Sequence, residues 1–299
     1  FTVGVFTNLS RDHLDYHLTM ESYFASKSRL FKTYPLNGAV INIDDAYGLR
    51  LVSDLRPDGL ITFGKRPEAD VQIISIEPSH IGTLVTLKYD NKLHNLVVPL
   101  LGDFNALNAI ASALAVHVAF DLDLKIVLSS IQNLTTVPGR MEKFVARDLP
   151  TCVVDYAHTP DALESALVTV RAHTTGDIWV VFGCGGERDS GKRPLMGAIA
   201  SQFADHVILT SDNPRSEDPY EIINQIRKGM AWDPIRVNID RAEAIQCAIR
   251  EASSDDLILV AGKGHERIQN IGGKEFTYSD QTEISKYYVD CGSGGLHAS

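Results

Sequence analysis

Several short runs in this chain carry more chemistry than their surroundings. Asp12-His13-Leu14-Asp15-Tyr16-His17 brings two carboxylates and two imidazoles together just after an opening strand, where α/β sheets bind ligands. The run suits a metal or a phosphate-bound metal, and an ordinary polar connecting loop accounts for its composition equally well. Gly183-Cys184-Gly185-Gly186-Glu187-Arg188-Asp189-Ser190-Gly191-Lys192-Arg193 matches, from Gly186 to Lys192, the start of a G-x-x-x-x-G-K phosphate loop. Arg193 stands where that loop needs the Ser or Thr that ligates Mg²⁺. The glycines, with Arg188, Lys192 and Arg193 at a helix N-terminus, predict an anion site, for a substrate carboxylate or phosphate in preference to a nucleotide.

Asp212-Asn213-Pro214-Arg215-Ser216-Glu217-Asp218-Pro219 also follows a strand. Pro214 stiffens the loop, Asp212 can accept from an ammonium, and Arg215 offers a planar fork for a carboxylate, so together they suit a zwitterionic amino acid. The same run makes a well-capped helix start. Ala261-Gly262-Lys263-Gly264-His265-Glu266 follows another strand, its glycines freeing backbone amides and its Glu266 opposing Arg215 in charge; a plain left-handed turn fits it as well. Gly139-Arg140-Met141-Glu142 and the stretch from Asp155 to Asp161 flank an interdomain junction. Arg140 suits a phosphate and Asp155 or His158 a ribose or adenine, although buried ion pairs explain such residues as often. Asn105 and Asn108 sit in an otherwise apolar helix, where each costs propensity and calls for a polar partner.

The elements that must position these residues follow from the rhythm of the chain. Short apolar runs alternate with helix-period segments, the pattern of parallel sheets covered by helices, so the class is α/β. Strands are expected at Phe1–Phe6, Gly38–Ile43 and Gly59–Phe63, with helices at Thr19–Tyr34, where Thr19 is the N-cap, and Asp45–Leu55. Alternating polarity over Val71–Ile76, Thr83–Tyr89 and Leu93–Pro99, with a turn at Asp90-Asn91, predicts a small antiparallel sheet added to the parallel one. Helices follow at Phe104–Phe120 and Leu122–Leu134. From Thr151 the order is strictly βαβ, with strands at Thr151–Asp155, Ile178–Phe182, His206–Thr210, Ile235–Ile239 and Leu257–Val260 and helices such as Pro160–His173 and Arg241–Ala252. We expect three segments: 1–138, 139–290, and a flexible Gly- and Ser-rich tail, 291–299.

Length and composition bound the function. The 299 residues, 44% of them hydrophobic, suffice for two cored domains. With 28 Lys and Arg against 38 Asp and Glu, the formal charge of −10 argues against nucleic acid or an anionic membrane as partner, so any anionic ligand must be held locally. Cys152, Cys184, Cys247 and Cys291 are too scattered for a disulfide framework or a paired zinc site, which fits a reducing, cytoplasmic setting. Apolar runs such as Ile178–Phe182 fall far short of the roughly 20 residues that span a bilayer, and no membrane insertion is expected. The chain opens in mid-strand without an initiator Met, so it reads as part of a longer protein.

The runs TNLSRDHLDYH (Thr7–His17), ASKSRLF (Ala25–Phe31), GDFNALNAIAS (Gly102–Ser112), PGRME (Pro138–Glu142) and VDYAHTPDAL (Val154–Leu163) resemble, in this order, the Mur ligase family. FGCGGERDSGKRPLMG, DNPRSEDP and AGKGHE continue the likeness over nearly the whole chain. The combination is far more specific than any one run, and it is closest to the branch that adds the third residue to the peptidoglycan peptide. The resemblance implies the rear part of a central ATPase domain followed by a Rossmann-like C-terminal domain. It implies ATP-dependent, Mg²⁺-assisted amide formation: a carboxylate of a UDP-N-acetylmuramoyl dipeptide becomes an acyl phosphate, which the amine of meso-diaminopimelate attacks. In that frame His13 is an Mg²⁺ ligand, and Lys27 matches a lysine carbamylated to a carboxylate that helps hold the metal. Asn105, Asn108, Arg140, Asp155 and His158 would line the ATP side. Arg188, Asp212, Asn213, Pro214, Arg215, Gly262 and Glu266 would form the pocket for the added amino acid. Arg215 favours diaminopimelate, whose far end carries a second carboxylate that lysine lacks. A lysine-adding or D-Ala-D-Ala-adding relative and a non-catalytic amino-acid-binding module are the alternatives. The family's own phosphate loop and UDP-binding domain would lie upstream of Phe1, so this chain alone is expected to be a monomer without ligase turnover.

Overall fold

The computed structural model describes residues 1–9, 17–55, 59–79 and 82–291, with the backbone of 297–298. It divides into two compact units, Phe1–Leu134 and Thr135–Ser299.

The first unit is built on one six-stranded sheet whose spatial order follows the chain: β1 (Val3–Phe6), β2 (Gly38–Asn42), β3 (Leu60–Gly64), β4 (Val71–Ser79), β5 (Gly82–Tyr89) and β6 (Lys92–Val98). Pairing is parallel from β1 to β4 and antiparallel from β4 to β6. The expected antiparallel patch therefore extends the parallel sheet through the Phe63–Val71 register. Asp90 and Asn91 both take positive φ, 50° and 57°, in the two-residue turn between β5 and β6.

Helix α1 (Met20–Thr33) starts as expected, with the Thr19 side chain accepting from the amide of Ser22. Helix α2 (Ala46–Asp54) is capped by Asp45, which accepts from the amides of Tyr47 and Gly48 with one oxygen and from Leu9 with the other. A Cβ at Gly48 would lie 1.9 Å from the carbonyl oxygen of Asn42 in β2, and neither backbone can yield. Gly48→Ala is thus expected to destabilise by about 1–3 kcal/mol in urea unfolding, with an unchanged midpoint counting against this packing.

Helix α3 (Asp103–Phe120) buries Ala106, Ala109, Ile110, Ala113 and Leu114 against the sheet. At 18 residues and mean hydropathy 1.2 it is long and apolar enough to cross a membrane by length and composition, which corrects the expectation that no segment comes close. Its apolar face is occupied by the sheet. The second expected helix starts later and ends sooner: Asp123 accepts from the amides of Lys125 and Ile126, α4 covers Leu124–Ser130, and a 3₁₀ turn, Ile131–Asn133, closes it.

The second unit has the sequence β7 (Glu142–Val145), β8 (Thr151–Asp155), α5 (Pro160–Arg171), β9 (Ile178–Phe182), α6 (Lys192–Phe203), β10 (His206–Leu209), α7 (Pro219–Arg227) and β11 (Arg236–Val237). It continues through α8 (Arg241–Glu251), β12 (Leu257–Ala261), β13 (Ile268–Ile271), β14 (Lys274–Thr277), α9 (Asp280–Asp290) and β15 (His297–Ala298). The main sheet runs β11-β10-β9-β12-β8-β7-β15, parallel from β11 to β8, with β7 and β15 antiparallel at the edge. β9 and β12 are buried at every position, as uninterrupted apolar strands in a doubly covered sheet should be. The strand expected over Ile235–Ile239 shrinks to the two residues of β11, and β13 and β14 form a separate hairpin. The expected flexible tail lies mostly outside the described residues; His297 and Ala298 pair with β7 instead.

Candidate functional site

The parallel strands of the second unit all deliver their C-terminal ends to one edge, and the loops after β8, β9, β10 and β12 are the runs singled out above. They line an open cavity of about 430 Å³. Gly183, Gly185 and Arg188 come from the loop after β9; Asp212, Asn213 and Arg215 from that after β10; Gly262 and Glu266 from that after β12; and Tyr156 and His158 from that after β8. Close approach of these loops depends on glycine: a Cβ at Gly186 would meet the carbonyl oxygen of Pro214 at 2.0 Å, and one at Gly183 that of Thr210 at 2.1 Å.

Arg215 is held in left-handed backbone, φ 53°, which costs an L-residue roughly 1–2 kcal/mol. The β13–β14 hairpin holds it there. The amide of Arg215 donates to the carbonyl of Asn270 at 3.0 Å, and its own carbonyl accepts from Gly272 at 2.6 Å. Gln269, buried, donates its side-chain amide to the carbonyl of Asp212 at 2.8 Å. The Arg215 guanidinium donates to the carbonyl of Gly186 at 2.5 Å and lines the cavity.

Three carboxyl groups line the cavity, Asp189, Asp212 and Glu266, and the last two are held by buried cations. Burial pushes the Asp212 carboxyl above its usual range, with Arg241 and Lys263 opposing the rise. Burial acts the same way on Glu266, but hydrogen bonds from Lys263 and Asn213 prevail and hold it below. Asn213 reaches Glu266, Lys263 and the amide of Asn270 at once, so it braces the loops. Cys184 also lines the cavity; burial pushes its thiol up to about 12, which leaves it inert.

The expected cluster of three cations at the start of α6 needs correction. Arg193 is buried, 1% exposed, because its guanidinium turns inward to Glu217, Gln225 and the carbonyl of Gly185. Its hydrogen bond, with one from the amide of Glu187, holds Glu217 down at about 2. The folded value lies below the unfolded one, so this contribution to stability is present above the ordinary glutamate range and is lost as pH falls toward 2. Lys192 donates to the carbonyl of His158 at 2.7 Å, and Arg188 lines the cavity, so these two cations remain at the site.

Of the residues expected on a nucleotide side, Arg140, Asp155 and His158 gather around Tyr156, a residue to which the sequence assigns no task. The Arg140 guanidinium lies 4.7 Å over its ring, and His158 and His265 flank it at 4.6 and 5.6 Å. Asp155 accepts from the amide of Met141, and burial raises its carboxyl against that bond. Asn105 and Asn108 belong to the first unit: Asn105 finds its polar partner in the carbonyl of Leu101 at 2.9 Å, and Asn108 is exposed. Lys27 is exposed on α1, its ammonium 5.3 Å from the Tyr23 ring on which His17 stacks. His13 lies outside the described residues. Among those described, no three His, Cys, Asp or Glu side chains gather to hold a metal.

Two family models match this chain, the Mur ligase middle domain over residues 1–116 and the Mur ligase glutamate ligase domain over 139–264. A UDP-N-acetylmuramoyl-L-alanyl-D-glutamate--2,6-diaminopimelate ligase of Synechococcus elongatus is 46% identical over 286 residues, covering 95% of this chain and 57% of that protein. A solved structure of a ligase of the same description is 38% identical, with a TM-score of 0.73 over 97% of this chain and 61% of the other. A MurF ligase from Thermotoga maritima, solved in complex with ADP, shares the fold at 19% identity, with a TM-score of 0.65 over 88% of this chain and 58% of the other. The chain thus spans under two thirds of the length of the relatives it matches.

Proposed function

Because the chain belongs to the Mur ligase family, we propose that it serves an ATP-dependent ligase that joins meso-diaminopimelate to UDP-N-acetylmuramoyl-L-alanyl-D-glutamate in the cytoplasm. The single observation that carries the reading is the cavity at the sheet edge, where the guanidinium groups of Arg188 and Arg215 and the carboxyl groups of Asp212 and Glu266, with Asp189, line one space. A zwitterion needs that pairing. Arg215, with Arg188, would take the distal carboxylate, and Asp212 and Glu266 the ammonium beside it. Fixing this far end would orient the other amino group, and a fixed nucleophile avoids the entropic cost of a bimolecular encounter. ATP supplies the activation of the acceptor carboxylate as an acyl phosphate, and in the second unit Arg140, Asp155 and His158, gathered around Tyr156, are the residues proposed to meet it. Magnesium would require more than the described residues offer: Lys27 as an amine repels a cation, and only its carbamate would attract one.

Calorimetric titration of this chain with meso-diaminopimelate, L-lysine and D-Ala-D-Ala tests the pocket. Diaminopimelate should bind, and lysine should bind more weakly by about tenfold or more, the worth of one charge-assisted hydrogen-bond set. Equal binding of lysine, or preference for D-Ala-D-Ala, would replace the proposed acceptor, and no binding of any of the three would remove the pocket reading.

A further inference from the structure

Lys263 is a fully buried ammonium for which the amino-acid pocket has so far supplied no task. It sits between two glycines at the end of β12, and its Nζ donates to Asn213 Oδ1 at 3.0 Å and to Glu266 Oε2 at 2.9 Å. Asn213 closes the triangle, since its Nδ2 donates to the same Oε2 at 2.9 Å. One oxygen of Glu266 is therefore doubly held. The other, Oε1, has no hydrogen-bond partner among the described residues, and Glu266 lines the cavity.

Removing a cation from water costs several kcal/mol, so an apolar side chain would fill this space more cheaply. What the ammonium adds is charge and direction. Asp212 and Glu266 are like charges on one wall, and such a pair tends to keep a proton unless cations stand behind it. Lys263 and, further back, Arg241 are those cations, interacting with both carboxyl groups. Arg188, Lys192, Arg215, Asp189, His158 and Tyr156 are the other charged or titratable groups lining the same cavity.

We infer that Lys263 is a positioning residue: it locks Glu266 by one oxygen, leaves the other for a ligand, and keeps that end of the pocket anionic so that it selects an ammonium group. The inference rests on the amino-acid reading of the cavity, but its first test needs no ligand. Side-chain carboxyl ¹³C resonances of the whole labelled chain, with Glu266→Gln for assignment, give the titration of Glu266 directly. In the parent it should titrate below the ordinary glutamate range, and in Lys263→Met and Lys263→Gln above it. An ordinary value in the parent overturns the inference even if neither variant folds.

The second readout is meso-diaminopimelate affinity by calorimetry at pH 6 and pH 8. Loss of Lys263 should weaken binding by about thirtyfold or more at pH 6, where a raised Glu266 carboxyl carries more of its proton, and by clearly less at pH 8. A loss of the same size at both pH values would mark general damage and count against the inference. A parent that shows the expected Glu266 titration yet binds no diaminopimelate would instead sink the proposed ligand while leaving the task of Lys263 in place.

Discussion

Arg241→Met should lower the stability of the second unit by about 3–5 kcal/mol in urea unfolding, the cost of leaving a buried carboxylate without its partner. Arg241 and Asp280 are both 0% exposed and meet in a bidentate pair, Nε to Oδ1 and Nη2 to Oδ2, each at 2.8 Å. Nη2 also donates to the carbonyl of Ala261, the last residue of β12, and the Tyr278 hydroxyl donates to Asp280. One ion pair thus ties α8 and α9 to the strand end that carries Gly262 and Glu266. Asp280 opens α9, where the helix dipole offers an anion only about 0.3–1 kcal/mol, too little to replace a guanidinium. Arg241→Met with Asp280→Leu should recover most of the loss, because two apolar groups leave no uncompensated charge. A single variant as stable as the parent, or a double variant weaker than the single, would show that the pair does not hold the strand end.

That pair also shows where the sequence stops being readable. β9 and β12 stand out because a strand buried on both faces must be apolar throughout, and the loops that follow them stand out because α/β sheets bind at strand ends. Charge on a single residue does not say whether it will face water. Arg193 finds Glu217 24 residues on, Arg241 finds Asp280 39 residues on, and Lys263 finds Asn213 50 residues back, separations that no local pattern encodes. Reading Arg193 as part of an anion site follows from that blindness. The β13–β14 hairpin did leave a signal, Gly272-Gly273 between two short runs, with φ of 60° and 75°. It went unread because β14 is exposed at every position and so lacks the apolar alternation that marks a strand. Yet this hairpin supports the Arg215 backbone, so an element of low sequence signal shapes the residue with the strongest chemical one.

Arg215→Gly should separate binding from stability. Glycine adopts the left-handed backbone of this position without the penalty an L-residue bears, so the variant should be as stable as the parent or more stable by up to about 1 kcal/mol. The lost contact from the guanidinium to the carbonyl of Gly186 limits that gain. Meso-diaminopimelate affinity should fall by about thirtyfold to a thousandfold, the cost of truncating one side of a hydrogen-bonded charge pair. Lysine, which brings no distal carboxylate, should bind within about threefold of its parent value, so the preference between the two ligands collapses. Arg215→Lys should recover charge but not the planar fork, and should fall between parent and glycine for diaminopimelate alone. Damage to the fold would weaken both ligands together and lower the unfolding midpoint. A stable Arg215→Gly chain that still binds diaminopimelate like the parent would show that the strained backbone serves something other than that carboxylate, and would remove Arg215 as the basis for naming diaminopimelate.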